Sequence, residues 1–316
     1  QNDDGAQVTL QSKKKMASMT TLQAAPPKFR YLSAWFCPFA HRCTLALEHH
    51  RGRVEYEWVE ALGWYQQEDK NNVTGTGKEW FYHWKADELK RVNPSALVPT
   101  LIPILQDSQP DESKVVYESL VTIDYVDHVA NPPQESQRLV SSDPYWRAMG
   151  RIWADKVNRD CCSPYYGVLV RQDEVERREH FETLIQGLGQ FSKQLTQTSG
   201  PLFLPNGQLS SVDLALFPWA WRYYVLEHYC GPDYIIPTET NASSSQQSSS
   251  SLSLEPYHEW YEHMMKLPSV QRTLPEKDRY LEHIAKYADG SARSKVANAV
   301  RRGVAAHELD DEKDEY

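Results

Sequence analysis

The sequence predicts an α/β domain followed by an all-helical domain. Three observations carry this. Strand, helix and strand signals alternate over residues 28–60, as a β-α-β unit requires. Beyond residue 143 the periodicity is helical only. Between the two, Asn131-Pro132-Pro133 through Asp143-Pro144 has linker composition, which puts the boundary at 131–143. A chain of 316 residues is long enough for two domains of ordinary size.

In the first domain, Lys28-Phe29-Arg30-Tyr31-Leu32 reads as a strand and Thr44-Leu45-Ala46-Leu47-Glu48 as a helix. Between them lies Ala34-Trp35-Phe36-Cys37-Pro38-Phe39-Ala40-His41-Arg42. A cysteine therefore stands where a strand ends and a helix begins. Proline at the first helical position costs nothing there and presets the backbone angle. The first N–H groups of a helix have no intrahelical partner, and the positive end of its dipole faces whatever precedes it. Such a position can lower a thiol from about 8.5 to about 3.5–7.5. Cys37 is thus either a reactive thiolate or, like most cysteines, an inert core residue.

Arg53 to Glu60 alternates with period two and predicts a half-buried strand, parallel to the first through a right-handed crossover. Residues 63–85 hold Trp64, Tyr65, Trp80, Phe81, Tyr82 and Trp84 around a polar, Gly-containing centre. Two readings fit: a surface loop with functional aromatics, or coverage of a sheet edge. Residues 87–92 form a short helix ended by Asn93-Pro94. In Ala96-Leu97-Val98-Pro99-Thr100-Leu101-Ile102 the proline must sit at a strand start, edge or bulge. A cis bond before Pro99 would leave the Val98 N–H free to face a ligand's backbone. Lys114 to Tyr117 is a short strand, and Glu118-Ser119 opens a helix through Val129. That pair is either an ordinary cap or an anion-tolerant pocket mouth.

In the second domain a long helix is expected from Tyr145 to about residue 171, and a second from Glu174 to Gln197. Ser210-Ser211-Val212-Asp213 has the capping-box pattern and opens a helix, Leu214 to Tyr229, that is apolar nearly all round. Residues 238–255 are a Ser/Gln-rich insertion. Helical signals return at Tyr257–Met265, Pro275–Ala288 and Ser294–Ala306, before an acidic tail. The segments are then a leader at 1–27, the first domain at 28–130, the linker, the helical domain at 144–290, and a terminal helix and tail at 291–316.

The net charge of −9 argues against nucleic-acid binding, which needs a basic face. The five cysteines form no CxxC or Cys/His ladder, so neither a disulfide framework nor a metal site is expected, and a reducing, cytoplasmic setting fits. No run of eighteen apolar residues is present, so no membrane-spanning helix is expected. Residues 1–28 leave organelle targeting open.

The strand followed by Cys37-Pro38-Phe39-Ala40-His41-Arg42, the run Leu97-Val98-Pro99-Thr100-Leu101, the Tyr117-Glu118-Ser119 helix start and the capped helical half resemble a cytosolic glutathione transferase of the omega class, over about residues 28–290. The resemblance implies a thioredoxin-like first domain that binds glutathione. It puts the catalytic cysteine at Cys37 and a glutathione-contacting aromatic at Phe39. It puts backbone pairing to the ligand at Val98 beside a cis-Pro99, and the γ-glutamyl group at Glu118 and Ser119. A lysine near the glycyl carboxylate falls on Lys78, one position out of register. Trp219, Arg222, Tyr165, Tyr166 and Trp146 fall near the second-substrate pocket. Glutathione is the implied co-substrate, with a hydrophobic or glutathionylated second substrate, no metal, and a homodimer. Segments 63–85 and 238–255 are longer than the family's usual connections.

The implied chemistry is thiol–disulfide exchange through a Cys37–glutathione mixed disulfide. Deglutathionylation, dehydroascorbate reduction or S-conjugate reduction would follow. Ala40 stands where a dithiol motif would carry its second cysteine, and Cys43 lies about a turn and a half further along the helix. Glutathione must then resolve the disulfide. One alternative is a glutathionyl-hydroquinone reductase of the xi class, which normally has Trp where Phe39 stands. Another is a non-catalytic protein that binds hydrophobic ligands.

Overall fold

The computed structural model describes residues 25–68, 80–105, 107–238 and 253–309. Most of the expected leader, Lys78, the centre of segment 63–85, the body of the Ser-rich insertion and the acidic tail lie outside the described residues.

The first domain runs β1 (Lys28–Ser33), α1 (Pro38–His49), β2 (Glu55–Glu60), β3 (Leu62–Gln67), β4 (Trp80–Lys85), α2 (Asp87–Val92), β5 (Thr100–Ile104), β6 (Val116–Tyr117) and α3 (Ser119–Ala130). The main sheet has the order β2-β1-β5-β6. β1 is central because Phe29, Tyr31 and Leu32 are all buried. It pairs parallel with β2 and antiparallel with β5, which pairs antiparallel with β6. The Tyr31 hydroxyl donates to Ala40 O at 2.7 Å and so ties the central strand to α1. α1 and α3 pack together.

β2 is more exposed than its alternation predicts. It is the edge strand, and Glu55, Glu57 and Glu60 are exposed, as is Trp58. The described ends of segment 63–85 are strands. β3 and β4 form an antiparallel hairpin, and β7 (Ala292–Arg293) from the far end of the chain adds to β4 in parallel. The hairpin requires Gly63: a Cβ there would lie 2.1 Å from Trp84 Nε1. Lys286 Nζ, 5.0 Å from the Trp64 ring, anchors it to the second domain.

The second domain is α4 (Pro144–Val157), α5 (Ser163–Val170), α6 (Glu174–Leu195), α7 (Ser211–Ala220), α8 (Tyr224–Cys230), α9 (Glu255–Lys266), α10 (Pro268–Gln271) and α11 (Lys277–Ala288), followed by β7 and α12 (Lys295–Arg301). The helix expected over 145–171 is interrupted by a π turn at Asn158–Cys162. Its backbone meets α6 closely, and a Cβ on Gly187 would be 2.4 Å from Asp160 O. The turn matters for function because it swings Asn158 toward the first domain.

The helix expected over 214–229 is split into α7 and α8. Pro218 lies inside α7, and the Arg222 guanidinium donates to Pro218 O at 2.6 Å. The capping box is formed as the pattern predicts, with Ser210 and Asp213 bonded reciprocally. Among the described residues no helix is long and apolar enough to cross a membrane.

Candidate active site

Cys37 is the N-cap of α1, with φ −76° and ψ 119°, and Pro38 opens the helix. Its N–H donates to Ala34 O at 3.1 Å and its carbonyl accepts from His41 N at 2.9 Å, so the turn is held from both sides. It lines a cavity of about 380 Å³ between the two domains. The thiol is pushed up from its ordinary value by burial. The amides of Ala40 and Phe39 and the Arg222 and Arg42 guanidinium groups oppose this without reversing it. The helix start alone would predict the opposite direction. Alkylation of Cys37 in the ligand-free protein is therefore expected to keep rising above about pH 8.5. Peptide-resolved iodoacetamide kinetics check this, and a plateau below pH 7 would show that the amides win.

Val98, Pro99, Glu118 and Ser119 line the same cavity. The Val98–Pro99 peptide is cis. Among the described residues the Val98 N–H makes no hydrogen bond. Glu118 has φ 69°, in the left-handed region where a non-glycine residue is strained, and its carbonyl accepts from Thr122 N. Phe39 and Tyr166 also line the cavity, with rings stacked at 6.5 Å.

Trp219, Arg222 and Tyr165 do not line it. All are fully buried. The Trp219 ring lies 4.3 Å from the Arg42 guanidinium. Arg222 Nη2 donates to Phe36 O at 3.3 Å, behind the cysteine turn. Trp146 is half-buried near the start of α4, away from the cavity.

His41 is occupied by other groups. Its Nε2 pairs with Thr273 Oγ1 at 2.9 Å, its Nδ1 meets Arg222 Nη1, and burial lowers it well below the usual histidine range.

Arg42 is the residue whose role only the structure reveals. It is buried and bridges three elements. Nε donates to Ala215 O at 2.9 Å, Nη1 to Ser119 Oγ at 3.0 Å, and Nη2 to Asn158 Oδ1 at 2.8 Å. Because Arg42 feeds a lone pair of Ser119, the hydroxyl keeps its proton for an acceptor in the cavity. Arg42→Lys retains charge and loses the fork. It is expected to cost about 2–4 kcal/mol of stability in a urea melt, through the partners left bare.

The remaining wall comes from the inserted hairpin and the chain end. His83 of β4, Tyr280, His283 and Tyr287 of α11, Lys295 of α12 and His307 all line the cavity. Phe36 and His283 stack at 4.0 Å, and Trp64 and His83 rings lie 4.0 Å apart. Burial drives His83 to about 3 and His283 to about 2, so both are neutral at ordinary pH. The sequence reading missed these groups. Its only signals were the density of aromatics at 64–84 and the helical pattern at 294–306.

A thioredoxin-like sheet with a helical second domain, and an interdomain cleft holding a helix-capping cysteine beside a cis-proline, is the architecture of the glutathione transferases. Residues 36–129 match the family described as glutathione S-transferase, N-terminal domain. The first domain thus matches the glutathione transferase N-terminal domain family, and the fold of the whole chain is the glutathione transferase fold. It is 25% identical over 253 residues to glutathione transferase GST 23 of Zea mays, covering 80% of this chain and 91% of the relative. Among solved structures it resembles glutathione transferase Omega 3C of Trametes versicolor. The TM-score is 0.58, with 23% identity and 84% and 92% of the two chains covered. It also resembles rice GST1 in complex with glutathione, with TM-score 0.60, 21% identity and 84% and 98% covered. At these identities the structures speak for the fold.

Proposed function

We propose that this transferase is an omega-like, glutathione-dependent thiol transferase whose nucleophile is Cys37. The observation that carries the reading is that Cys37 lines one cavity with Val98, Pro99, Glu118 and Ser119. The Cys37 thiolate attacks the sulfur of a glutathionyl adduct. A Cys37–glutathione disulfide forms, and the other half of the substrate leaves with the electron pair of the broken bond and takes up a proton. A second glutathione thiolate attacks the glutathione sulfur. Oxidised glutathione departs and Cys37 returns as thiolate. Cys43, Cys161 and Cys162 are buried, and Cys230 lies at the end of α8 with its thiol on Val168 O and does not line the cavity, so glutathione is the resolving thiol.

Intact mass after incubation with oxidised glutathione tests this. One glutathionyl group, about 305 Da, should be gained and lost in Cys37→Ser. An unmodified wild-type protein would overturn the reading. The aromatic half of the cavity, with Phe36, Tyr166, Tyr280 and Tyr287, also suits aromatic glutathionyl conjugates, which keeps a glutathionyl-hydroquinone reductase as the second reading. Exposed Val121, Tyr145 and Ile152 near the α3–α4 edge suit a homodimer, which light scattering checks.

A further inference from the structure

The charges in the cavity leave one need of the proposed ligand unmet. Glutathione carries one ammonium and two carboxylates. Glu118 suits the ammonium, and the Ser119 hydroxyl, kept as a donor by Arg42, suits one carboxylate. The second carboxylate needs a cation.

Arg42 is committed to Ala215, Ser119, Asn158 and Cys162. His83 and His283 are neutral, and His307 faces Glu308 at 3.7 Å. Lys295 remains. It lines the cavity, is half-buried, and makes no hydrogen bond or ion pair among the described residues. It reaches the cleft because β7 pairs with β4, which sets Arg293 opposite Tyr82, two residues before Lys295.

We propose that Lys295 holds the glycyl carboxylate of the glutathione ligand, so that ligand binding fastens the C-terminal segment 292–309 over the cleft. The inference rests on the glutathione reading above. The cation then comes from α12, whereas the family resemblance implied Lys78, which lies outside the described residues. A ligand that touches the docked segment favours docking by its differential affinity for that state.

Calorimetry with S-methylglutathione and its glycyl amide tests the assignment. Wild-type protein should bind the amide about tenfold more weakly, the value of one charge-assisted contact. Lys295→Met should bind both alike, at the affinity of the amide, and Lys295→Arg should restore the preference. Deuterium uptake over 292–309 should fall with S-methylglutathione in the wild type and stay unchanged in Lys295→Met. A tenfold preference that survives in Lys295→Met, or is lost in Lys78→Met instead, overturns the proposal. A wild-type protein that binds neither compound overturns the glutathione reading itself. Lys295 has no partner among the described residues, so the variant should melt with the wild type.

Discussion

Replacing Cys37 by serine is expected to reduce turnover of a glutathionylated substrate by about a thousandfold or more, with ligand binding largely kept. A serine hydroxyl at the same N-cap can accept the same amides but cannot form the mixed disulfide. The cavity walls, the cis-Pro99 turn and Ser119 are untouched, so calorimetric affinity for S-methylglutathione should change little. Loss of both activity and binding would point instead to a collapsed site. Retained turnover in Cys37→Ser would show that chemistry does not pass through this thiol.

Asp213→Ala should be the most destabilising change in the second domain. The buried carboxylate accepts from Ser210 N at 2.8 Å, Ser210 Oγ at 2.7 Å, Trp260 Nε1 at 2.8 Å and Phe203 N at 3.2 Å. Removing it opens the Asp213 half of the α7 capping box and leaves buried donors bare. The cost is about 4 kcal/mol, or a fall of about 10 °C in Tm. Burial raises Asp213 to about 6, and its hydrogen bonds to Ser210 and Trp260 oppose that without cancelling it.

The folded pKa thus exceeds the unfolded value of about 3.9, and between these the native state binds more protons. The contribution of Asp213 is therefore present in full at low pH and declines as pH rises through about 4 to 6. The stability gap between wild type and Asp213→Ala should be wider at pH 5 than at pH 7.5 by about 1 kcal/mol, measured by urea titration at both. A gap that is flat across that window would contradict the raised value.

Much of the site was legible because its signals are short-range. A cysteine before a helix-opening proline, a Val98-Pro99 pair ahead of a strand, and a Ser210–Asp213 box each depend on residues within about one helical turn. The interrupted helices were not legible. The π turn at Asn158 is paired with a close approach of Gly187, and the break near Arg222 with a guanidinium–carbonyl contact; neither leaves a mark on periodicity. Trp219 and Arg222 matched a pattern by position, yet packing turned them into the seam beneath Arg42 and behind Cys37.

By itself, the sequence determined the order of elements, the place of the cysteine turn and the capped helix, since local backbone chemistry specifies these. The tertiary structure decided the rest of the cleft. Arg42 finds Ala215 across 173 positions of chain, and β4 finds β7 at the far end. It also decided the state of the thiol. Desolvation is a sum over every neighbour that excludes water, and those neighbours come from both domains, so no local motif could weigh it against the helix amides.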